Sequence, residues 1–155
     1  MNKEDVLDKL REAKAAHISW VQRAKLLIEG FTINEKSIPV NSTECKFGQW
    51  FYSDGQRLNS IRNNPSESMK KIEDLHFQLH DVYLNIYKIY YDTDLTKKGF
   101  FKKLFGTKKK VSPEDIDLAK TYYSDMDFIS KELVKELNTM ERRINVVNDS
   151  EIETI

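Results

Sequence analysis

This chain of 155 residues has only three histidines and one cysteine, and their spacing could hold a metal ion. His76 and His80 are four residues apart. On a helix that spacing rotates them by about 40° and separates them by about 6 Å along the axis, so both imidazoles can reach one ion. His17 and Cys45 precede them and would have to arrive from other elements. Three neutral imidazoles and one thiolate are the donors of a tetrahedral zinc site, and four protein donors leave no position open for a substrate. The set therefore points to one zinc per chain and away from catalysis. With these histidines used, no Ser/His/Asp or Cys/His/Asn set remains. Each donor binds deprotonated or neutral, so binding should weaken in acid.

Other metal chemistries fit less well. Glu73 and His76 have the Glu-x-x-His spacing of a di-iron bundle, but that site needs a second copy, and the chain has none. Haem attachment through Cys-x-x-Cys-His is also missing. A histidine pair or a lone cysteine taken singly is weak ground for a site, since buried cysteine often acts as a small hydrophobe. The pattern of the helices strengthens the case.

Apolar residues recur in alternating four-three spacing at Val6, Leu10, Ala13, Trp20, Ala24, Leu27 and Phe31, and His17 occupies a position in that series. The spacing predicts one long helix with His17 in its seam. Gly30 and the stretch FTINEKSIPVNS read as a connection. A short second helix should follow, capped by Ser42 or Thr43, with Cys45 near its N-terminus where the helix dipole favours a thiolate. After NNPSES, with Pro65 suited to a first turn, Met69, Ile72, His76, Leu79, Tyr83, Ile86 and Tyr90 repeat the spacing and put His76 in a seam as well. An imidazole buried there without a partner costs roughly 1–3 kcal/mol, so something should satisfy it. The last helix opens at Ser112-Pro113-Glu114-Asp115 and carries Ile116, Ala119, Tyr123, Met126, Ile129, Leu133, Leu137, Met140 and Ile144 inward. The expected fold is an all-α four-helix bundle with the zinc site in its core. Residues 1–92 form a zinc-binding core of three helices, 93–111 a basic aromatic connector, 112–147 the fourth helix and 148–155 a fraying acidic tail.

Charge narrows the partners. Lys plus Arg and Asp plus Glu are both 25, so no overall field attracts nucleic acid. Locally, seven lysines alternate with Phe100, Phe101, Leu104 and Phe105 in the connector. Residues 97–110 could thus make weak contact with an anionic membrane surface or fold back on the bundle end. One cysteine, no apolar leader in MNKEDVLDKL and no 18-residue apolar run predict a cytoplasmic protein. The Tyr and Met seam of the last helix suggests a homodimer.

His17-x-x-Trp20, Cys45-x-x-Gly48-x-Trp50 and His76-x-x-x-His80, in that order, resemble the chemoreceptor zinc-binding domain family over roughly residues 10–90. The resemblance implies that His17, Cys45, His76 and His80 bind zinc inside a four-helix bundle. It also implies a regulator of a chemoreceptor, signalling protein or diguanylate cyclase. Trp20 and Trp50 read as core packing that also walls the site and limits solvent access, and Gly48 would let the helix approach closely. Zinc supply, or oxidation of the thiolate, would then be the input. A zinc-stapled interaction module without sensing, or a peripheral membrane protein, are the alternatives.

Overall fold

A computed structural model describes residues 1–63, 66–91 and 109–155. Helix α1 spans Lys3–Ile28, with the Asn2 side chain accepting the Asp5 N–H at its start and Lys25 in its last turn. Two residues past its end lies Gly30, whose φ of +94° is a conformation natural only to glycine. The chain turns there, so Phe31 leaves the seam in which the spacing had placed it and is 60% exposed. A 3₁₀ turn at Glu35–Ser37 leads to α2 (Lys46–Phe51), and a second at Asp54–Ser60 leads towards α3 (Ser66–Tyr90). Pro65, assigned to the first turn of α3, lies outside the described residues. Helix α4 (Pro113–Asn145) has Ser112 accepting the Asp115 N–H and Pro113 at its first position, where a missing N–H does no harm. No strand is formed among the described residues.

The seams pack as the spacing predicts. Val6, Leu10, Ala24 and Leu27 of α1, Ile72, Leu79 and Ile86 of α3, and Leu133, Leu137 and Ile144 of α4 are buried. Each large aliphatic buried in this way contributes about 1.5–3 kcal/mol. The two extensive helix interfaces are α3 on α4 and α1 on α4, while α1 and α3 make no comparable contact with each other. Short α2 packs on α1 and stands where a full fourth helix would close the ring. Cross-helix ion pairs fix the register, with Arg11 and Lys14 of α1 meeting Glu141 and Lys71 of α3 meeting Glu136 at 2.6 Å. Met126 and Met140 are each 1% exposed within the chain's own core. Tyr122 and Tyr123 of the same helix are half-buried.

One expectation changes at the C-terminal end. The acidic tail does not fray: Asp149–Thr154 form a short helix α5 whose Ile152 is fully buried. Lys3 secures the junction by donating to the Val147 carbonyl at 2.8 Å and pairing with Asp149 at 3.3 Å. The basic segment 97–110, and with it the membrane-surface contact, falls outside the described residues except for Lys109 and Lys110. No helix among the described residues is long and apolar enough to cross a membrane.

Candidate metal centre

His17 comes from the middle of α1, Cys45 from the residue that opens α2, and His76 and His80 from consecutive turns of α3. All four are buried, and one ligand atom from each lies within 4.8 Å of all the others. The rings meet edge to face, His17 to His76 at 5.1 Å and His76 to His80 at 4.8 Å between centroids. Cys45 Sγ and His76 Nε2 are 3.2 Å apart. Donors on one tetrahedral zinc stand about 3.5 Å apart given its bond lengths, so this gathering is of the right size.

Hydrogen bonds set which nitrogens face the gap. His17 Nδ1 lies 2.6 Å from the Ala13 carbonyl and His80 Nδ1 lies 2.8 Å from the Pro39 carbonyl. A carbonyl only accepts, so both Nδ1 atoms carry the hydrogen and both Nε2 atoms keep a lone pair. Those two Nε2 atoms, together with His76 Nδ1, are buried without any hydrogen-bond partner. Burial lowers the pKa of His17 to about 3. Burial, then the neighbouring His17 and His80, lowers that of His76 to about 2, and burial lowers that of His80. At neutral pH the folded chain thus holds three uncharged imidazoles, the state a metal requires.

Cys45 departs from its expected surroundings. Neither Ser42 nor Thr43 caps α2: Cys45 does so itself, its Sγ accepting the Gly48 N–H at 3.1 Å. The Thr43 hydroxyl donates instead to the Asn41 side chain, and the Ser42 carbonyl accepts from the Cys45 thiol at 3.3 Å. The helix-end argument for a low thiol pKa is also reversed in the metal-free chain. Burial outweighs the hydrogen bonds from backbone N–H groups, and the thiol is raised. A six-residue helix has too little dipole to overcome desolvation.

Gly48 is a close-approach glycine. A methyl group there would stand 1.8 Å from the Ser42 carbonyl oxygen and 3.3 Å from His76 Cε1. Trp20 lies edge-on to His17 at 4.6 Å and to His80 at 5.3 Å, as a wall of the site would. Trp50 stands one ring further out, against Phe47 at 5.9 Å. Phe47 takes the inner place, 5.8 Å from His17 and 5.0 Å from His76, with Tyr52 at 6.4 Å from His76. Sequence reasoning missed Phe47, although its position two residues after the cysteine was a usable signal. The carbonyls of Ala13 and Pro39 left none, because any residue type supplies one.

Buried nitrogens gathered beside a thiol could hold a metal ion, and comparison with known families gives its kind. Residues 17–87 match the chemoreceptor zinc-binding domain. The match begins at the first of the four residues and runs past the last. No curated protein and no solved structure matches the chain. The chemoreceptor zinc-binding domain is a regulatory zinc-binding family without known catalysis. Zinc is accordingly the metal, and the chain has one His₃Cys site that could hold a single ion.

Proposed function

We propose that His17, Cys45, His76 and His80 together ligate that zinc and that the domain is a sensory module. Its inputs are zinc supply or oxidation of Cys45, and its output goes to a protein partner in chemotaxis or cyclic-di-GMP signalling. The observation that carries the ligand assignment is the pair of buried, unpartnered atoms His17 Nε2 and His80 Nε2 gathered with a thiol that lies 3.2 Å from His76 Nε2. Bound zinc would supply a fixed positive charge and directed bonds at that point. The chain's part is to hold imidazoles neutral, to orient two of them through Ala13 and Pro39, and to exclude water with Trp20 and Phe47.

Cys45 couples this centre to the helices because it is both donor and cap. Attack of its thiolate on a peroxide forms an S–O bond and breaks the O–O bond, giving sulfenic acid and releasing hydroxide. The product is a weaker, neutral donor. The same change alters the atom that accepts the Gly48 N–H, so metal grip and the start of α2 are lost together. A structural staple is the second reading, and the 1% exposure of Cys45 favours it.

Metal analysis of untagged protein should give a zinc-to-chain ratio near one, and His80→Ala should lose zinc to a competing chelator at concentrations the parent withstands. Full zinc retention by His80→Ala would overturn the four-ligand assignment. Peroxide treatment of the loaded protein, with zinc release followed by a chromogenic chelator, separates sensor from staple. Release from the parent but not from Cys45→Asp supports sensing, and equal behaviour of the two supports the staple.

A further inference from the structure

Beside the metal centre, on its solvent side, lies a cavity of about 310 Å³ whose apolar wall is made by Ala13, Ala16, Trp20, Pro39 and Phe47, with Cys45 also lining it. That volume and lining fall in the range of small-molecule sites. The charged residues around it are not balanced. Lys9 is paired with Glu12 at 3.5 Å. Lys36 and Lys46, both exposed, have no ion pair among the described residues, and only Glu44 opposes them. The cavity therefore joins an aromatic floor to a surplus of positive charge at its rim.

We propose that this cavity binds a small organic anion with an apolar body, such as an aryl carboxylate. The ring would lie among Trp20, Phe47 and Ala16, with the carboxylate against Lys36 or Lys46. The wall is the same structure that holds the metal centre: Ala13 supports His17, Pro39 supports His80, and Trp20 touches both rings. An occupant that shifts any of these contacts shifts zinc affinity, and by reciprocity zinc shifts affinity for the occupant. This deepens the sensory reading by adding an organic input, and it rests on that reading only for the coupling to zinc.

The test uses phenylacetate as probe and 2-phenylethanol as its uncharged counterpart, titrated into the full chain with zinc content measured in parallel. Trp50→Phe leaves Trp20 as the only tryptophan, so Trp20 fluorescence reports occupancy of the cavity. Saturable binding of phenylacetate is expected, weaker by roughly tenfold for 2-phenylethanol and for the Lys36→Glu/Lys46→Glu variant, since a charge-assisted contact is removed in each. Filling the cavity with Ala16→Phe should abolish it, and Ala16→Met, a milder filling, should weaken it if the larger residue disturbs folding. Equal binding of acid and alcohol, binding undiminished by Ala16→Met and Ala16→Phe, or no saturation in the millimolar range would overturn the proposal. Binding that persists in protein stripped of zinc would leave the pocket standing and separate it from any failure of the metal assignment. Phenylacetate that binds without changing the rate of zinc loss to a chelator would refute the coupling.

Discussion

Replacing Gly48 by alanine is the sharpest test of how the metal centre is assembled. Helix propensity alone favours alanine in a helix by about 1 kcal/mol, so a protein indifferent to that position would gain stability. The packing says otherwise. The new methyl would lie 1.8 Å from the Ser42 carbonyl oxygen and 2.9 Å from its carbon. Reaching ordinary contact at about 3.4 Å requires backbone to move by about 1.6 Å, and forced overpacking of this kind costs typically 1–3 kcal/mol. The segment that must give way also bears Cys45, whose thiol bonds to that same Ser42 carbonyl. Gly48→Ala should therefore lower the stability of the metal-free protein by up to about 2 kcal/mol after the propensity gain is subtracted. Zinc affinity should fall about 10- to 100-fold, the usual effect of disturbing the support of a ligand. Urea unfolding with chelator present gives the first quantity and competition with a calibrated chelator gives the second. Gly30→Ala is the control: it meets no atom within 4 Å but sits at positive φ, so it should cost about 1 kcal/mol and leave zinc affinity alone. A Gly48→Ala protein more stable than the parent, with unchanged zinc affinity, would refute the reasoning.

The histidines also make the metal-free fold acid-sensitive. His17 and His76 titrate near 3 and 2 in the folded chain but near 6.5 when unfolded, so the unfolded state binds the extra protons. Their contribution is complete above the unfolded value and is lost as pH falls below it, by about 3 kcal/mol for the pair at pH 5.5. Denaturant midpoints measured from pH 7.5 to 5.5 should show that slope, and a flat profile would mean these groups are not buried as neutral imidazoles. Ile152→Ala should destabilise by about 2–4 kcal/mol, since its side chain is fully buried; a change below about 0.5 kcal/mol, as at a surface site, would mean that α5 is not docked. Chelation should leave the far-ultraviolet helix signal largely intact while lowering the melting temperature, because buried seams rather than the metal build the helices. Complete loss of helix on chelation would reverse that ranking.

The parts of this molecule that repeat were legible in its sequence, and the parts that depend on one bend were not. Three-four spacing put His17 and His76 inside, and the four-residue step put His80 beside His76, because helix geometry turns sequence distance directly into spatial distance. The same rule overran at Phe31, since the helix ends at Ile28 and the chain turns at Gly30, three and one residues before the apolar pattern stops. Capping of α2 was misread because serine and threonine are the common caps, whereas here burial leaves the Cys45 sulfur as the acceptor at hand. Phe47 has no part in the sequence reading, because a six-residue helix is too short for spacing to show which of its aromatic residues turns inward.

The open side of the bundle has a mechanical consequence. Among the described residues, α1 and α3 are each fastened to α4 and bridged on the far side by short α2, the Trp20 ring and the histidine rings, so that the helices form a slit tube. A slit tube resists bending nearly as well as a closed one but twists with little effort, and a single rivet across the slit restores most of its torsional stiffness. An ion shared by His17, His76 and His80, as proposed above, would be such a rivet. A partner gripping the ends of α1 and α3 would then feel a difference in compliance, with scarcely any displacement of the helices at rest.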